Sequence, residues 1–312
     1  MTHTSEPRGL RAELETLTTE AFRPELADID RLPTLDLARL MNDEDATVAG
    51  AVAEQLPRIA AAIDAVADRM ARGGRLVYAG AGTAGLGILD ASECPPTFNT
   101  DPARVVGLIA GGPGAMVTSA EGAEDSAELA ASDLAALGLT ADDSVVGISA
   151  SGRTPYAVGA VTHARARGAL TVGLACNPGS PLAAAAEHGV EVVVGPEVLT
   201  GSTRLKAGTA QKLVLNMVST ITMIRLGKTY GNLMVDVRAS NEKLRARSRR
   251  IVALATGAAD ADIERALAAA DGEVKHAILI LLADVDGPTA TRLLNEADGH
   301  LRAALEAAAG RP

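Results

Sequence analysis

The chain has 312 residues, 47% of them hydrophobic and 22% charged, which is ample for a sizeable buried core and suggests one large domain with a smaller companion. Aromatics are only 2%, with no Trp, and the formal net charge is -10, so base-stacking modules and phosphate-rich polymers are excluded and nucleic acid is not an expected partner. A small anion stays admissible, because local backbone dipoles bind one whatever the average field.

No apolar run is long enough to cross a bilayer, so no membrane is expected as a partner. Met1–Pro7 is polar and lacks the apolar core of a signal peptide. Two cysteines, Cys94 and Cys176, make no disulfide framework, which points to a reducing, cytoplasmic setting. The five histidines (His3, His163, His188, His276, His300) are scattered without metal-ligand spacing, and no metal or other cofactor is expected.

Residues 1–20 are polar and read as a flexible N-terminus. Residues 46–71 are Ala-rich with helical spacing, so Leu56, Ile59, Ile63, Val66 and Met70 line one face, and Gly73-Gly74 ends the helix. Five short Val-rich runs follow as buried strands: Leu76–Ala79, Val105–Ala110, Val145–Ser149, Leu170–Ala175 and Val190–Val194. Helices at Ser126–Leu137, Pro155–Arg167 and Pro181–Glu187 alternate with them. The pattern predicts an α/β fold, a doubly wound five-stranded parallel sheet, with ligands beyond the C-terminal strand ends. A long helix is expected over 207–226. The domain bounds read as 21–246 for the sheet domain and 247–312 for a small helical appendage, with helices parted by Gly257, Gly272 and Gly287-Pro288.

The chemistry should therefore lie in the loops. Gly80-Ala81-Gly82-Thr83-Ala84-Gly85 matches the dinucleotide fingerprint, but the second strand ends in Ile109-Ala110-Gly111-Gly112 without the carboxylate that a ribose needs, so a tight strand-to-helix turn is the better reading. Ser149-Ala150-Ser151-Gly152-Arg153-Thr154-Pro155 is the stronger signal. Pro155 suits a first helical position and Thr154 an N-cap, so free N–H groups, a helix dipole and three hydroxyls converge where a phosphate would bind. Glu93 sits in Leu89–Thr97, a short helix expected to stop at Pro95-Pro96; on composition alone it is a solvated helix-end carboxylate. Glu121, Glu124 and Asp125 follow the Gly-rich loop after the second strand and equally suit a helix N-terminus. Glu197 and the polar, basic stretch Thr200–Lys212 lead into the long helix; this loop either closes over a polar ligand or is an ordinary loop and cap.

Taken together, the stretches Met41–Asp45, Leu89–Thr97, Glu121–Ser126, Ser149–Tyr156, Cys176–Ser180, Lys206–Lys212 and Gly231–Val237 occur in an order that resembles the SIS (sugar isomerase) fold and, within it, the N-acetylmuramic acid 6-phosphate etherases. The resemblance runs from about residue 28 to the end of the chain. It implies a homodimer with a small C-terminal helical domain like ubiquitin-associated folds. It also implies a cytoplasmic lyase that cleaves the D-lactyl ether of N-acetylmuramic acid 6-phosphate, giving N-acetylglucosamine 6-phosphate and D-lactate in the recycling of cell-wall sugar. By the same resemblance Glu93 is the acid and Glu124 the carbon-2 base, with Glu121 the alternative base. Gly82, Thr83, Ser149, Ser151, Gly152, Thr154, Glu197, Ser202 and Lys206 are the substrate-binding residues. Burial beside Pro95 and Pro96 would keep Glu93 protonated.

One stretch departs from the family. Its Gly-Thr-Ser-Gly-Arg-Leu-Gly becomes Gly82-Thr83-Ala84-Gly85-Leu86-Gly87, one residue shorter, without the arginine and with Ala84 in place of a hydroxyl. One lost hydrogen bond to a charged ligand costs about 1.5–3 kcal/mol, roughly one to two decades in affinity. A phosphosugar-sensing regulator without turnover and an aldose–ketose isomerase remain the two other readings at this stage.

Overall fold

The computed structural model describes residues 12, 14–118, 120, 122–237 and 241–310. It falls into two compact units, one of residues up to Asp90 with Val105–Val218, the other of Ala91–Arg104 with the chain from Ser219 onward.

In the first unit, short 3-10 turns at Thr18–Glu20, Pro24–Leu26 and Ile29–Arg31 precede the α-helices α1 (Thr34–Asp45), α2 (Val48–Ala53) and α3 (Leu56–Ala71). The single helix expected over 46–71 is thus two. Pro57 near the start of α3 has no N–H to give and its ring blocks an uninterrupted turn, so the helix restarts there. Ile59, Ile63, Val66 and Met70 are buried as expected, whereas Leu56, at the first position of the restarted helix, is 44% exposed.

The chain then runs β1 (Leu76–Gly80), α4 (Leu86–Phe98), β2 (Val105–Ile109), α5 (Ala127–Ala136), β3 (Ser144–Ile148), α6 (Pro155–Ala166), β4 (Leu170–Ala175), α7 (Pro181–Ala185), β5 (His188–Glu191) and α8 (Lys206–Arg225). The five strands form one parallel sheet in the order β2-β1-β3-β4-β5. Every residue of β1, β3 and β4 is buried, which is why their sequences run apolar without alternation. Glycines let the helices seat closely. A Cβ on Gly147 of β3 would stand 2.6 Å from Val161 Cγ2 of α6, and one on Gly159 of α6 would stand 2.7 Å from Ala127 Cα of α5.

Two elements end differently from the sequence reading. The fifth strand covers 188–191, not 190–194, because its partner β4 stops at Ala175. After Val192 N–H donates to Ala175 O, the Val192–Val194 run, with Val192 and Val194 buried and Val193 exposed, continues past the end of β4. Pro95 and Pro96 do not stop α4; both lie inside it, near the C-terminus. The turn closes when Asn99 N–H donates to Pro95 O, with Asn99 in the left-handed region at φ 51°.

The second unit adds a short hairpin of β6 (Thr229–Tyr230) and β7 (Leu233–Met234) and five helices: α9 (Glu242–Thr256), α10 (Asp260–Ala269), α11 (Val274–Ala283), α12 (Gly287–Glu296) and α13 (Leu301–Ala309). Its core gathers Val235, Val237, Ile251, Ile263, Ile278, Leu293 and Leu301. Lys275, 7% exposed, is held by Asp236 at 2.9 Å and the Gly299 carbonyl at 2.8 Å. Among the described residues no helix is long and apolar enough to cross a membrane.

Candidate active site

Strand order reverses at β1, which has β2 on one side and β3 on the other. Gly80 is in register with both Ile109 and Ile148, so the loops that leave these three strands start side by side. This switch point is where open α/β sheets hold ligands. A cleft of about 910 Å³ opens there, lined by residues of the first unit that include Gly82, Thr83, Ala84, Glu124, Asp125, Ser149, Ser151, Arg153, Thr154 and Gln211. A second cavity of about 550 Å³ shares Ala81, Gly82, Thr83 and Glu124 with it and is otherwise lined mostly by apolar residues such as Leu86, Ala110 and Ala115.

The turn after β3 is built around Ser149, only 4% exposed. Its Oγ accepts the Gly152 N–H at 3.0 Å and pairs with the hydroxyls of Thr154 at 2.8 Å and Ser151 at 3.2 Å. Gly152 has φ 69°, and a Cβ there would lie 2.3 Å from Ser180 Cβ, so only glycine lets the turn pass. Thr154 occupies the N-cap of α6, but its side chain makes no capping bond. The expected cap is corrected: the hydroxyl is spent on Ser149, so the first turn of α6 lacks a side-chain acceptor and remains favourable to an anion. Arg153, beside these hydroxyls, adds a cation. Asn177 braces the turn from below. It donates to the Ala150 carbonyl at 3.0 Å and to Thr19 Oγ1 at 3.0 Å, and accepts from Thr18 Oγ1 at 2.9 Å, which ties Leu14, Leu17 and Glu20 along one wall.

The loop after α7 and β5 serves another purpose. Glu197 is fully buried and accepts the N–H groups of Lys206 and Ala207, each at 3.0 Å, capping α8. The α8 N-terminus is therefore already satisfied by a carboxylate, unlike that of α6. Lys206, 4% exposed, gives its ammonium to Glu44 at 2.6 Å, and Arg23 reaches the same carboxylate at 2.5 Å. Burial pushes the Glu44 carboxyl up, but these two cations outweigh it and hold it below the usual range. Ser202 lies in the turn before α8, half-buried; its neighbour Thr203 is the residue that lines the cleft. Cys176 is buried and its Sγ donates to the Ala207 carbonyl at 3.7 Å; burial first, and then the charge of Glu197, pushes the thiol up to about 12, so it is no nucleophile.

Of the expected site residues, Gly82, Thr83, Ser149, Ser151, Thr154 and Glu124 line the cleft, with Gly152 buried in the turn beneath. Glu124 is exposed, in a short helical turn, Ala123–Asp125, reached through Gly122 at φ 74°. Glu121 lies outside the described residues. Glu93 belongs to the second unit and is exposed on α4, so the expected burial beside Pro95 and Pro96 is absent; the helix continues through the prolines and leaves the side chain in solvent. Ala84 is buried, and a Cβ on Gly80 would lie 2.3 Å from its own. Sequence reasoning placed Gln211 within the Lys206–Lys212 stretch but gave it no role, because residue type alone does not show whether its carbonyl is paired. It quoted Arg153 in the hydroxyl turn without giving it a role.

The doubly wound sheet and its hydroxyl-lined cleft at the switch point define a SIS-type α/β protein. A family model described as "Glucokinase regulatory protein N-terminal SIS domain" matches residues 58–165, and one described as "SIS domain" matches residues 123–221. A relative from Streptomyces avermitilis named "N-acetylmuramic acid 6-phosphate etherase" is 83% identical over 309 residues, 99% of this chain and 99% of its own. A relative of the same name from Rubrobacter xylanophilus is 62% identical, over 94% of this chain and 97% of its own. A solved phosphoheptose isomerase from Francisella tularensis is 19% identical, with a TM-score of 0.47 over 62% of this chain and 100% of its own. The chain belongs to the N-acetylmuramic acid 6-phosphate etherase family.

Proposed function

We propose that this protein is a carbon–oxygen lyase that cleaves the D-lactyl ether of N-acetylmuramic acid 6-phosphate to N-acetylglucosamine 6-phosphate and D-lactate. The observation that carries the reading is one cleft holding both an anion cradle, made by Ser149, Ser151, Thr154 and Arg153, and an exposed carboxylate, Glu124. A phosphate anchored at the cradle fixes the sugar, so a base in the same cleft works on a positioned carbon.

The chemistry needs ring opening, which exposes an aldehyde at carbon 1 and acidifies the carbon-2 hydrogen. Glu124 takes that proton, and the electron pair forms a carbon 2–carbon 3 double bond as the carbon-3 oxygen leaves. Glu93, by family resemblance, protonates the departing lactate oxygen. Water then adds at carbon 3 while carbon 2 regains a proton, and the two carboxyl groups exchange roles. Gly82, Thr83, Gly152, Glu197, Ser202 and Lys206 shape or brace this site. No metal or other cofactor enters the scheme.

The same reading includes a homodimer, a cytoplasmic place, a part in peptidoglycan recycling, no nucleic-acid partner, and a division into a catalytic domain over 21–246 and a ubiquitin-associated-like helical domain over 247–312. The test is incubation with N-acetylmuramic acid 6-phosphate and enzymatic measurement of D-lactate; ketose phosphate without lactate would reassign the protein to isomerase chemistry. Glu93→Gln should stop lactate release and retain carbon-2 exchange with solvent deuterium. Glu124→Gln should lose the exchange as well; unchanged exchange would move the base elsewhere.

A further inference from the structure

The helix Lys206–Arg225 carries a polar residue for which the scheme above has no task. Gln211 is 1% exposed and lines the cleft with Thr83, Ser149, Ser151 and Thr154. Among the described residues, nothing donates a hydrogen bond to its Oε1. An amide oxygen buried without a partner is destabilising, and buried polar groups in folded proteins are almost always paired, with protein, water or ligand. Its direction is set by the helix. Gly208, three residues earlier and so on the same side, packs on the first loop: a Cβ there would stand 3.0 Å from Thr83 Cγ2.

The polar groups of the cleft sort by chemistry. The hydroxyls of Ser149, Ser151 and Thr154, the Arg153 guanidinium and the first turn of α6 are donors, or act as donors, toward phosphate oxygens. Glu124 is a carboxylate reserved for a proton. An uncharged acceptor serves neither purpose, since a phosphate dianion has no hydrogen to give. The ring hydroxyls and the N-acetyl N–H of an amino-sugar phosphate do.

We infer that Gln211 is a sugar-recognition residue: its Oε1 accepts a hydrogen bond from a hydroxyl or amide N–H of the bound sugar and thereby favours a sugar phosphate over bare phosphate. The terminal torsion of a glutamine side chain is soft, so the amide turns to meet the donor without moving the helix. This deepens the proposed function and uses the same cleft.

The test is calorimetric titration of the full-length protein with N-acetylglucosamine 6-phosphate and, separately, with inorganic phosphate, the readout being the ratio of the two Kd values. In Gln211→Met, which keeps the length and removes the acceptor, the preference for the sugar phosphate should fall roughly 10- to 100-fold, the worth of one hydrogen bond with its partner left unpaired, while phosphate affinity stays within about twofold. Because the change removes an unpaired buried acceptor, the melting temperature should hold or rise. Gln211→Glu keeps an acceptor and should retain the preference even where its charge weakens both ligands. Should the Met variant not fold, Gln211→Asn, which withdraws the amide by one methylene, must lower the ratio by about threefold or more. An unchanged ratio in the folded Met or Asn variant overturns the assignment, as does equal weakening of both ligands. The lactate assay separates the two readings. No lactate release, with the ratio still falling, overturns the lyase and keeps the sugar contact, and the reverse result does the opposite. A protein that binds neither ligand overturns both.

Discussion

Ser149 shows how much one side chain organises. Its hydroxyl accepts the Gly152 N–H and meets two further hydroxyls, so the turn proposed to cradle an anion is held in shape by its own hydrogen bonds. In Ser149→Ala the KM for N-acetylmuramic acid 6-phosphate should rise about tenfold or more, with a stability loss of about 1 kcal/mol, as steady-state kinetics and urea melts would register. At the other end of the strands, Asp143 joins the starts of β1 and β3. It accepts from Arg75 N–H at 2.8 Å, from the Arg75 guanidinium at 2.7 Å and 3.0 Å, and from Thr140 N–H at 2.8 Å. Burial pushes the Asp143 carboxyl up, but these donors win and hold it below its ordinary value of 3.8. A depressed carboxylate gives its stability above the unfolded value and loses it as pH falls through the folded one. Asp143→Asn should therefore cost about 3 kcal/mol at pH 7, and the gap to the native protein should narrow in thermal melts taken below pH 3.8. A gap independent of pH would mean that shape, not charge, is what Asp143 supplies.

Helix packing turns on residues without side chains. An alanine in the middle of a helix is worth up to about 1 kcal/mol over glycine by propensity alone. At Gly159 the sign should reverse, because the new Cβ would stand 2.7 Å from Ala127 Cα and 2.9 Å from the Ala127 carbonyl, which are backbone atoms that cannot swing aside. Gly159→Ala should lose about 1–3 kcal/mol by chemical denaturation. The element-scale reading of the sequence was strongest where one period or one residue type dominates. The Val-rich runs gave four of the strands to within a residue or so, and the long helix expected over 207–226 is observed as Lys206–Arg225. It failed where a neighbour decides the outcome. Val192–Val194 is apolar enough for a strand, but β4 has ended. Pro95 and Pro96 look like a stop, yet the helix runs on to Phe98 without the two N–H donors that they lack. Thr154 has the residue type and position of a cap, and only the fold shows its hydroxyl committed to Ser149.

For the molecule as a whole, a ligand that binds the folded chain alone must stabilise it. N-acetylglucosamine 6-phosphate at a hundred times its Kd should add about 2.7 kcal/mol, visible as a raised melting temperature in scanning calorimetry, and Ser149→Ala should need proportionally more ligand for the same rise. The sequence by itself determined that this is a doubly wound parallel sheet with its ligand end marked by glycines and hydroxyls, and that its ordered motifs are those of the etherase family. Period, residue type and motif order are local properties, and they survive in one dimension. Tertiary structure alone decided which polar groups are free to act. Glu197 and Lys206 both read as ligand-binding groups, yet Glu197 is taken up by the α8 amides and Lys206 by Glu44. Gln211 reads only as one member of the Lys206–Lys212 stretch, yet is buried in the cleft with its carbonyl unanswered. Whether a polar atom is satisfied depends on partners that chain folding brings from as far as 162 residues away, as for Glu44 and Lys206, and that information is not local.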